Sequence, residues 1–231
     1  MIELESIKKF YQIGKHSNLV LKNLNLKIKK GDFVSIVGPS GSGKSTLLHI
    51  MSGMDKPSSG KVIINNQNLH NLKDSKIAKI RNQKMGFVYQ DFHLLEHLTV
   101  RENVEIPLLI NKSKLSEQDQ QKITETLDSL GILAQENQKP NQVSGGQKQR
   151  AAIARAIIMA PDIIFADEPT GNLDSQTGSE IIELLKKIQK NHNITMIVIT
   201  HDQNIAKNAD HIVEIKDGEI PNSAHPKNYL Q

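Results

Sequence analysis

The sequence predicts an α/β domain with a mainly parallel sheet, an antiparallel β segment at its N-terminus and an inserted helical region. Three observations predict it. Apolar runs at 33–37, 163–166 and 195–200 have the length of buried strands, and each ends in glycine or polar residues. Before residue 30, apolar and polar residues alternate, as in strands with one solvated face. From about 91 to 160 the apolar period lengthens to that of a helix. At 231 residues, with no internal repeat or low-complexity linker, the chain reads as a single domain over 1–231. Residues 1–90 and 161–220 would form the α/β core and β subdomain, 91–160 a helical subdomain, and 221–231 a loose tail.

The elements follow in order. Ile2 and Leu4 alternate with Glu3 and Glu5, and Leu24, Leu26 and Ile28 alternate with polar residues before the Lys30-Gly31-Asp32 turn. Phe33 to Val37 is a buried strand, followed by a glycine-rich loop and a helix through about Met51. Gly60 to Asn65 is a further strand with an Asn65-Asn66 turn behind it, and Gly86 to Tyr89 is a short strand ending at Gln90. In the helical region Ser116 caps a helix with Ile123, Leu127 and Leu130 on one face, and Gly131 ends it. Ser144 starts another helix, with Gln147 in capping-box position and an Ala- and Ile-rich body up to Met159 before Pro161. The α/β pattern resumes with the strand Ile163 to Ala166, an amphipathic helix Ser179 to Gln189 and the strand Thr195 to Thr200. Ile212 to Ile215 and the Asp217-Gly218 turn predict a closing hairpin.

Composition narrows the class. Aromatics are 3% and Trp is absent, so the core must rest on Ile, Leu and Val. With no Cys, disulfides and thiolate metal sites are excluded, which is compatible with a reducing cytoplasm. The charge of +4 would suit an anionic partner, but the Lys residues are scattered and no basic block interleaves with aromatics, so no nucleic acid is expected. The N-terminus lacks the apolar stretch of a signal peptide, and no run approaches the roughly 20 apolar residues that span a bilayer. Work at a membrane would need another chain to provide the membrane part.

The chemistry starts at Gly38-Pro39-Ser40-Gly41-Ser42-Gly43-Lys44-Ser45, a G-x-x-x-x-G-K-[ST] phosphate loop between a strand and a helix. The glycines let consecutive backbone N–H groups point into one concavity, and the helix start adds its positive end. Lys44 supplies a mobile cation for the β- and γ-phosphates, Ser45 a hydroxyl for Mg²⁺, and Thr46 one more phosphate contact. Asp167 and Glu168 follow the strand Ile163 to Ala166. A carboxylate at such a strand end holds Mg²⁺ opposite the loop's Ser, and its neighbour can take a proton from the attacking water. The bland alternative is a solvated acidic turn before Pro169. His201 ends a third apolar strand, placed to hydrogen-bond a γ-phosphate; a lone His is otherwise a surface or capping residue. Val143-Ser144-Gly145-Gly146-Gln147 is a second anion-ready helix start. One γ-phosphate needs only one cradle, so this one would serve a nucleotide held by another subunit, unless it is an ordinary capped helix start.

These motifs, with Gln90 and the run Gly171-Asn172-Leu173-Asp174, occur in the order found in ABC-transporter nucleotide-binding subunits. The chain resembles that family from about residue 2 to 220. The resemblance implies a P-loop NTPase of the ABC ATPase fold that binds ATP and Mg²⁺. By it, Tyr11 resembles the residue that stacks on adenine, with Phe10 as a competing neighbour. Gln90 resembles the residue that touches Mg²⁺ or water and reports to the membrane partner. Ser144 to Gln147 resemble the signature motif that closes on ATP of the opposite subunit, and Asp174 the loop coupling the two sites. Val143 departs from the usual Leu at a packing position. The stretches Gly86 to Leu95, Leu98 to Val104 and Ala166 to Asp174 are similar to the macrolide-exporter, lipoprotein-release and bacitracin-resistance subgroup. The implied protein is a homodimer around two ATP that contacts an integral membrane permease near Gln90–Val104, on the cytoplasmic face of a bacterial membrane. Cell-division ATPases of the same pattern, which move no solute, and soluble nucleic-acid-associated ABC ATPases are the alternatives.

Overall fold

The structure, a computed structural model, describes residues 1–14, 16–110 and 112–221, with only the backbone of Ile13 and Asn204. In chain order the elements are β1 (Ile2–Ile13), β2 (His16–Ile28), β3 (Phe33–Val37), α1 (Lys44–Met51), β4 (Ser59–Ile64), β5 (Gln67–Asn68), α2 (Asp74–Lys84) and β6 (Met85–Tyr89). They continue with α3 (Val100–Leu109), α4 (Glu117–Ser129), α5 (Gly145–Ile157), β7 (Ile163–Asp167), α6 (Ser175–His192), β8 (Thr195–Ile199), α7 (Gln203–Ala206) and β9 (His211–Glu214). From residue 222 on, the expected tail lies outside the described residues.

Two sheets result. One is four-stranded and antiparallel in the order β2-β1-β4-β5; the other is five-stranded and parallel in the order β6-β7-β8-β3-β9. Alternate residues of the parallel strands enter two cores. Ile36, Phe165, Ile197 and Ile199 join α1 and the antiparallel sheet on one side. Phe33, Ile164, Ala166 and Val198 face α3, α4, α5 and α6 on the other. Both faces of the parallel sheet are covered, which is why its strands read as continuous apolar runs.

Three differences from expectation have physical reasons. Ile212 to Ile215 does not close a hairpin: β9 pairs parallel with the outer side of β3, and only an isolated Lys216–Glu219 bridge follows. Asp210 fixes this arrangement, since its backbone N–H donates to the Phe33 carbonyl at 2.8 Å and its carboxylate accepts from the Phe33 N–H at 2.9 Å. Burial of Val213 and Ile215 then covers an edge of β3 that would stay open. Helix α6 starts at Ser175 rather than Ser179, because the Asp174 carboxylate caps it by accepting from the N–H groups of Gln176 and Thr177. Helix α2 has a single fully buried residue, Ile77, and therefore no apolar stripe to announce it.

The helices of the middle region are capped by reciprocal boxes at Thr99–Glu102, Ser116–Asp119 and Ser144–Gln147. Buried Asn103 ties down the loop before α3: its side chain accepts from Leu95 N–H at 2.7 Å and donates to the Leu95 and Thr99 carbonyls.

Candidate functional site

Because β6, β7, β8 and β3 are parallel neighbours, their carboxyl ends share one edge. Register aligns Tyr89 with Asp167, Asp167 with Ile199, and Ile199 with Ile36. Gln90, the Asp167–Glu168 pair, His201 and the phosphate loop therefore stand in that order along the edge. The loop, Asp167, Glu168 and His201 line one cleft of about 350 Å³.

The phosphate loop wraps the start of α1. Gly43 is its N-cap at φ 102°, a left-handed conformation, and a Cβ there would lie 2.7 Å from the Leu21 side chain. The first turn of α1 carries no acidic side chain of its own. Lys44 donates two ammonium protons, to the carbonyls of Gly38 at 2.9 Å and Pro39 at 2.8 Å, which holds its charge over the loop.

The carboxylates differ in surroundings. Burial raises the pKa of Asp167 and the nearby Glu168 charge adds to this, while a hydrogen bond from the Ser45 hydroxyl opposes it. Ser45 and Asp167 line the same cleft. Glu168 takes a left-handed φ of 46°, uncommon for a residue with a Cβ, and its N–H donates to the Ile199 carbonyl at 2.9 Å. Its Oε1 accepts from the His201 backbone N–H at 3.0 Å and from His201 Nδ1 at 2.8 Å. That bond leaves His201 Nε2 free to face outward on an exposed ring.

Tyr11 donates its hydroxyl to Asp55 Oδ2 at 2.7 Å. Phe10 points to the other face of the strand, opposite Leu19. Gln90 reaches the same sheet edge but lies against Gly171 and Asn172, its amide donating to Asn172 Oδ1 at 3.2 Å, and it does not line the cleft around Lys44. At the second helix start, Ser144 Oγ accepts from Gln147 N–H at 3.3 Å and Gln147 Oε1 accepts from Ser144 N–H at 2.8 Å. Gly145 and Gly146 pack beside Leu173 and Thr177, at the beginning of α6, and the run contributes nothing to the cleft of its own chain. Val143 is half-buried against the helical core.

The family model described as "ABC transporter" matches residues 21–171, more than half of the chain. The chain belongs to the ABC transporter family. Among its relatives is the "uncharacterized ABC transporter ATP-binding protein MJ0796" of Methanocaldococcus jannaschii, 48% identical, with 95% of each chain covered. A solved structure described as a dimeric post-hydrolysis state of the ATP-binding cassette MJ0796 bound to ADP and Pi superposes with a TM-score of 0.87, at 46% identity over 95% of this chain and 96% of that one. The lipoprotein-releasing system ATP-binding protein LolD of Acinetobacter baylyi is 43% identical, covering 94% of this chain and 96% of its own. The macrolide export ATP-binding/permease protein MacB of Bdellovibrio bacteriovorus is 44% identical over 95% of this chain but only 33% of its own length. The fold is that of an ABC ATPase, and the chain is the ATP-binding, ATP-hydrolysing subunit of an ABC transporter.

Three further residues of this ABC cassette escaped the sequence reading. Gln149 is fully buried on α5, and its amide donates to the carbonyl of Pro169, directly after Glu168. A lone Gln on an otherwise apolar helix face was the available signal. Arg155, on the same helix, donates to the carbonyls of Phe92 at 2.8 Å and His93 at 2.5 Å, and both residues have left-handed φ. Lys9, two residues before Tyr11, is buried against Asp55.

Proposed function

We propose that this cassette binds ATP with Mg²⁺, closes as a homodimer around two ATP molecules and drives a separate integral membrane permease, in export or in mechanical signalling. The observation that carries the catalytic part is the junction of Glu168 and His201 at the mouth of the phosphate-loop cleft. Glu168 is the base that accepts a proton from the attacking water, and its carboxylate is aimed by two hydrogen bonds from one residue. His201 keeps Nε2 for the γ-phosphate. Lys44 and the backbone N–H groups of Gly38 to Ser45 hold the phosphates, Thr46 adds a contact, and Tyr11 stacks on adenine.

The Ser45 hydroxyl and Asp167 carboxylate are hard oxygen donors lining one cleft, which suits Mg²⁺. With Gln90 joining from the neighbouring strand end, they would hold the ion, which when bound neutralises charge on the phosphate oxygens. The Ser144–Gln147 helix start does not line its own chain's cleft, which leaves it available to the partner subunit's ATP. The dimeric state of the MJ0796 cassette structure supports this arrangement.

The permease would dock near Gln90–Val104. A groove of about 480 Å³ opens beside this segment, bounded by Met54, Phe87, Tyr89, His93, Pro107 and Ile110. Leu95 and Ile110 are exposed at 44% and 64%. No helix among the described residues is long and apolar enough to cross a membrane. In this reading the cassette would sit peripherally on the cytoplasmic face of a bacterial membrane. The single-domain division, with a helical subdomain over 91–160, belongs to the same reading.

The deciding experiment is Glu168→Gln. It should slow ATP hydrolysis at least about a hundredfold, by removal of a general base, and leave ATP binding and ATP-dependent dimerisation intact. Parental hydrolysis in that variant would sink the assignment of the base. Co-purification with the adjacently encoded membrane protein tests the permease.

A further inference from the structure

Lys9 is the least expected buried residue of the β subdomain: 9% exposed, on a strand whose other buried residues are Ile2, Leu4 and Ile7. Its ammonium donates to Asp55 Oδ1 and to the Lys56 carbonyl, both at 2.8 Å, and stands 4.7 Å from the centroid of the Tyr11 ring. Asp55 turns its other oxygen, Oδ2, to accept the Tyr11 hydroxyl at 2.7 Å. We propose that Lys9 and Asp55 are positioning residues that set the Tyr11 ring as a one-sided platform for the purine base of the nucleotide. The proposal rests on the reading of Tyr11 as the stacking residue.

The geometry supports it in three ways. First, Lys9 and Tyr11 are two residues apart on β1, so their side chains share a face, and the ammonium covers one side of the ring. A base can stack only on the other side. Second, the hydroxyl is bonded to the same Asp55 carboxylate that holds the Lys9 ammonium, so one carboxylate fixes both the cation and the ring. Third, the strand is also held in place beside the ion pair by bonds that do not use it. Ser58 N–H donates to the Lys8 carbonyl at 2.8 Å, Phe10 N–H donates to Ser58 Oγ at 3.2 Å, and Lys8 pairs with Ser59. The Lys9–Asp55 pair is thus not the strand's sole tie there, and its further effect is to fix the ring before the base arrives. Such preorganisation strengthens binding by removing the loss of rotamer freedom.

The test uses the full chain with Lys9→Met, Asp55→Asn, Tyr11→Ala and the Lys9→Met/Tyr11→Ala double variant. ATPase kinetics are measured together with calorimetric binding of ATP and of inorganic tripolyphosphate, which has no base. Lys9→Met and Asp55→Asn should raise the KM for ATP about five- to tenfold, within the range of base–aromatic stacking, with kcat within about twofold and tripolyphosphate affinity unchanged. The Lys9 change should add little on the Tyr11→Ala background. With no Trp and three Tyr in the chain, quenching of tyrosine emission by ATP reports the stacked ring, and Lys9→Met should weaken it. If Tyr11→Ala raises KM and Lys9→Met does not, the positioning proposal fails while the stacking reading stands. If Tyr11→Ala leaves KM unchanged, the stacking reading fails and takes the proposal with it. An equal loss of tripolyphosphate affinity in Lys9→Met would place the effect in the phosphate loop and overturn the proposal.

Discussion

Replacing Gln149 by Met should separate stability from catalysis. The Gln149 side chain has no exposed surface; its amide donates to the buried carbonyl of Pro169, while its own Oε1 has no partner among the described residues. Methionine of similar length removes both. Losing the donor leaves the Pro169 carbonyl unsatisfied, which costs about 1–3 kcal/mol, and removing the orphaned Oε1 returns about the same. The net change should stay within about 1 kcal/mol, or roughly 2–4 °C in Tm for a chain of this size. Catalysis should respond differently. Glu168 is held in its left-handed conformation by Ile199 and His201 on one side and, through Pro169, by Gln149 on the other. A displacement on the order of 1 Å in a catalytic group can cost about a hundredfold, so kcat should fall roughly ten- to a hundredfold. ATP binding should be unchanged, because the phosphate loop hangs on β3 and not on α5. Differential scanning fluorimetry, steady-state ATPase kinetics and calorimetry on the same preparation measure all three. Parental kcat, or a Tm lowered by more than about 10 °C, would refute the reasoning.

Burial raises the pKa of Asp167 above its unfolded value, so its favourable contribution to stability is present below about pH 4 and is lost as pH rises through the folded pKa. Asp167→Asn should therefore raise Tm above the parent at neutral pH, by a margin that shrinks on acidification, while abolishing Mg²⁺-dependent hydrolysis; an equal or lower Tm at pH 7 would count against it. Asp119 is the opposite case: Lys112 and Ser116 hold its pKa down to about 2. Its support is present above about pH 4 and lost as pH falls toward 2, so Asp119→Asn should flatten acid denaturation in that window, as followed by circular dichroism. In Gly171→Ala the new Cβ would come 2.8 Å from the Gln90 carboxamide. Stimulation of ATPase by the permease should drop at least about tenfold, as expected for a displaced coupling group, with ATP affinity kept, and full stimulation in proteoliposomes would contradict this.

The parts legible in the sequence were those whose chemistry depends on residues adjacent in the chain. The phosphate loop, Asp167–Glu168 and His201 each follow a buried strand directly, and parallel strands bring their ends to one edge. What stayed hidden depends on contacts between distant segments. Tyr11 and Asp55 meet only because β1 pairs with β4, and nothing near Lys9 in sequence says that it is buried. The Asp217-Gly218 turn signal is real, but the free edge of β3 competed for Ile212 to Glu214 and took them into the parallel sheet. The first turn of α6 lacks apolar residues, so its start was legible only from its Asp174 cap.

Arg155 gives the helical region a lever. Its guanidinium grips the two left-handed residues that follow Gln90 and Asp91, and it sits near the C-terminal end of the helix that Ser144 begins. At 1.5 Å per residue, Arg155 and Ser144 are roughly 16 Å apart along one rod. A shift of the loop beside the groove is carried to the far end of that rod, where Ser144 to Gly146 lie. If the permease and the partner subunit meet the cassette where we propose, movement on the two sides would share this one mechanical part.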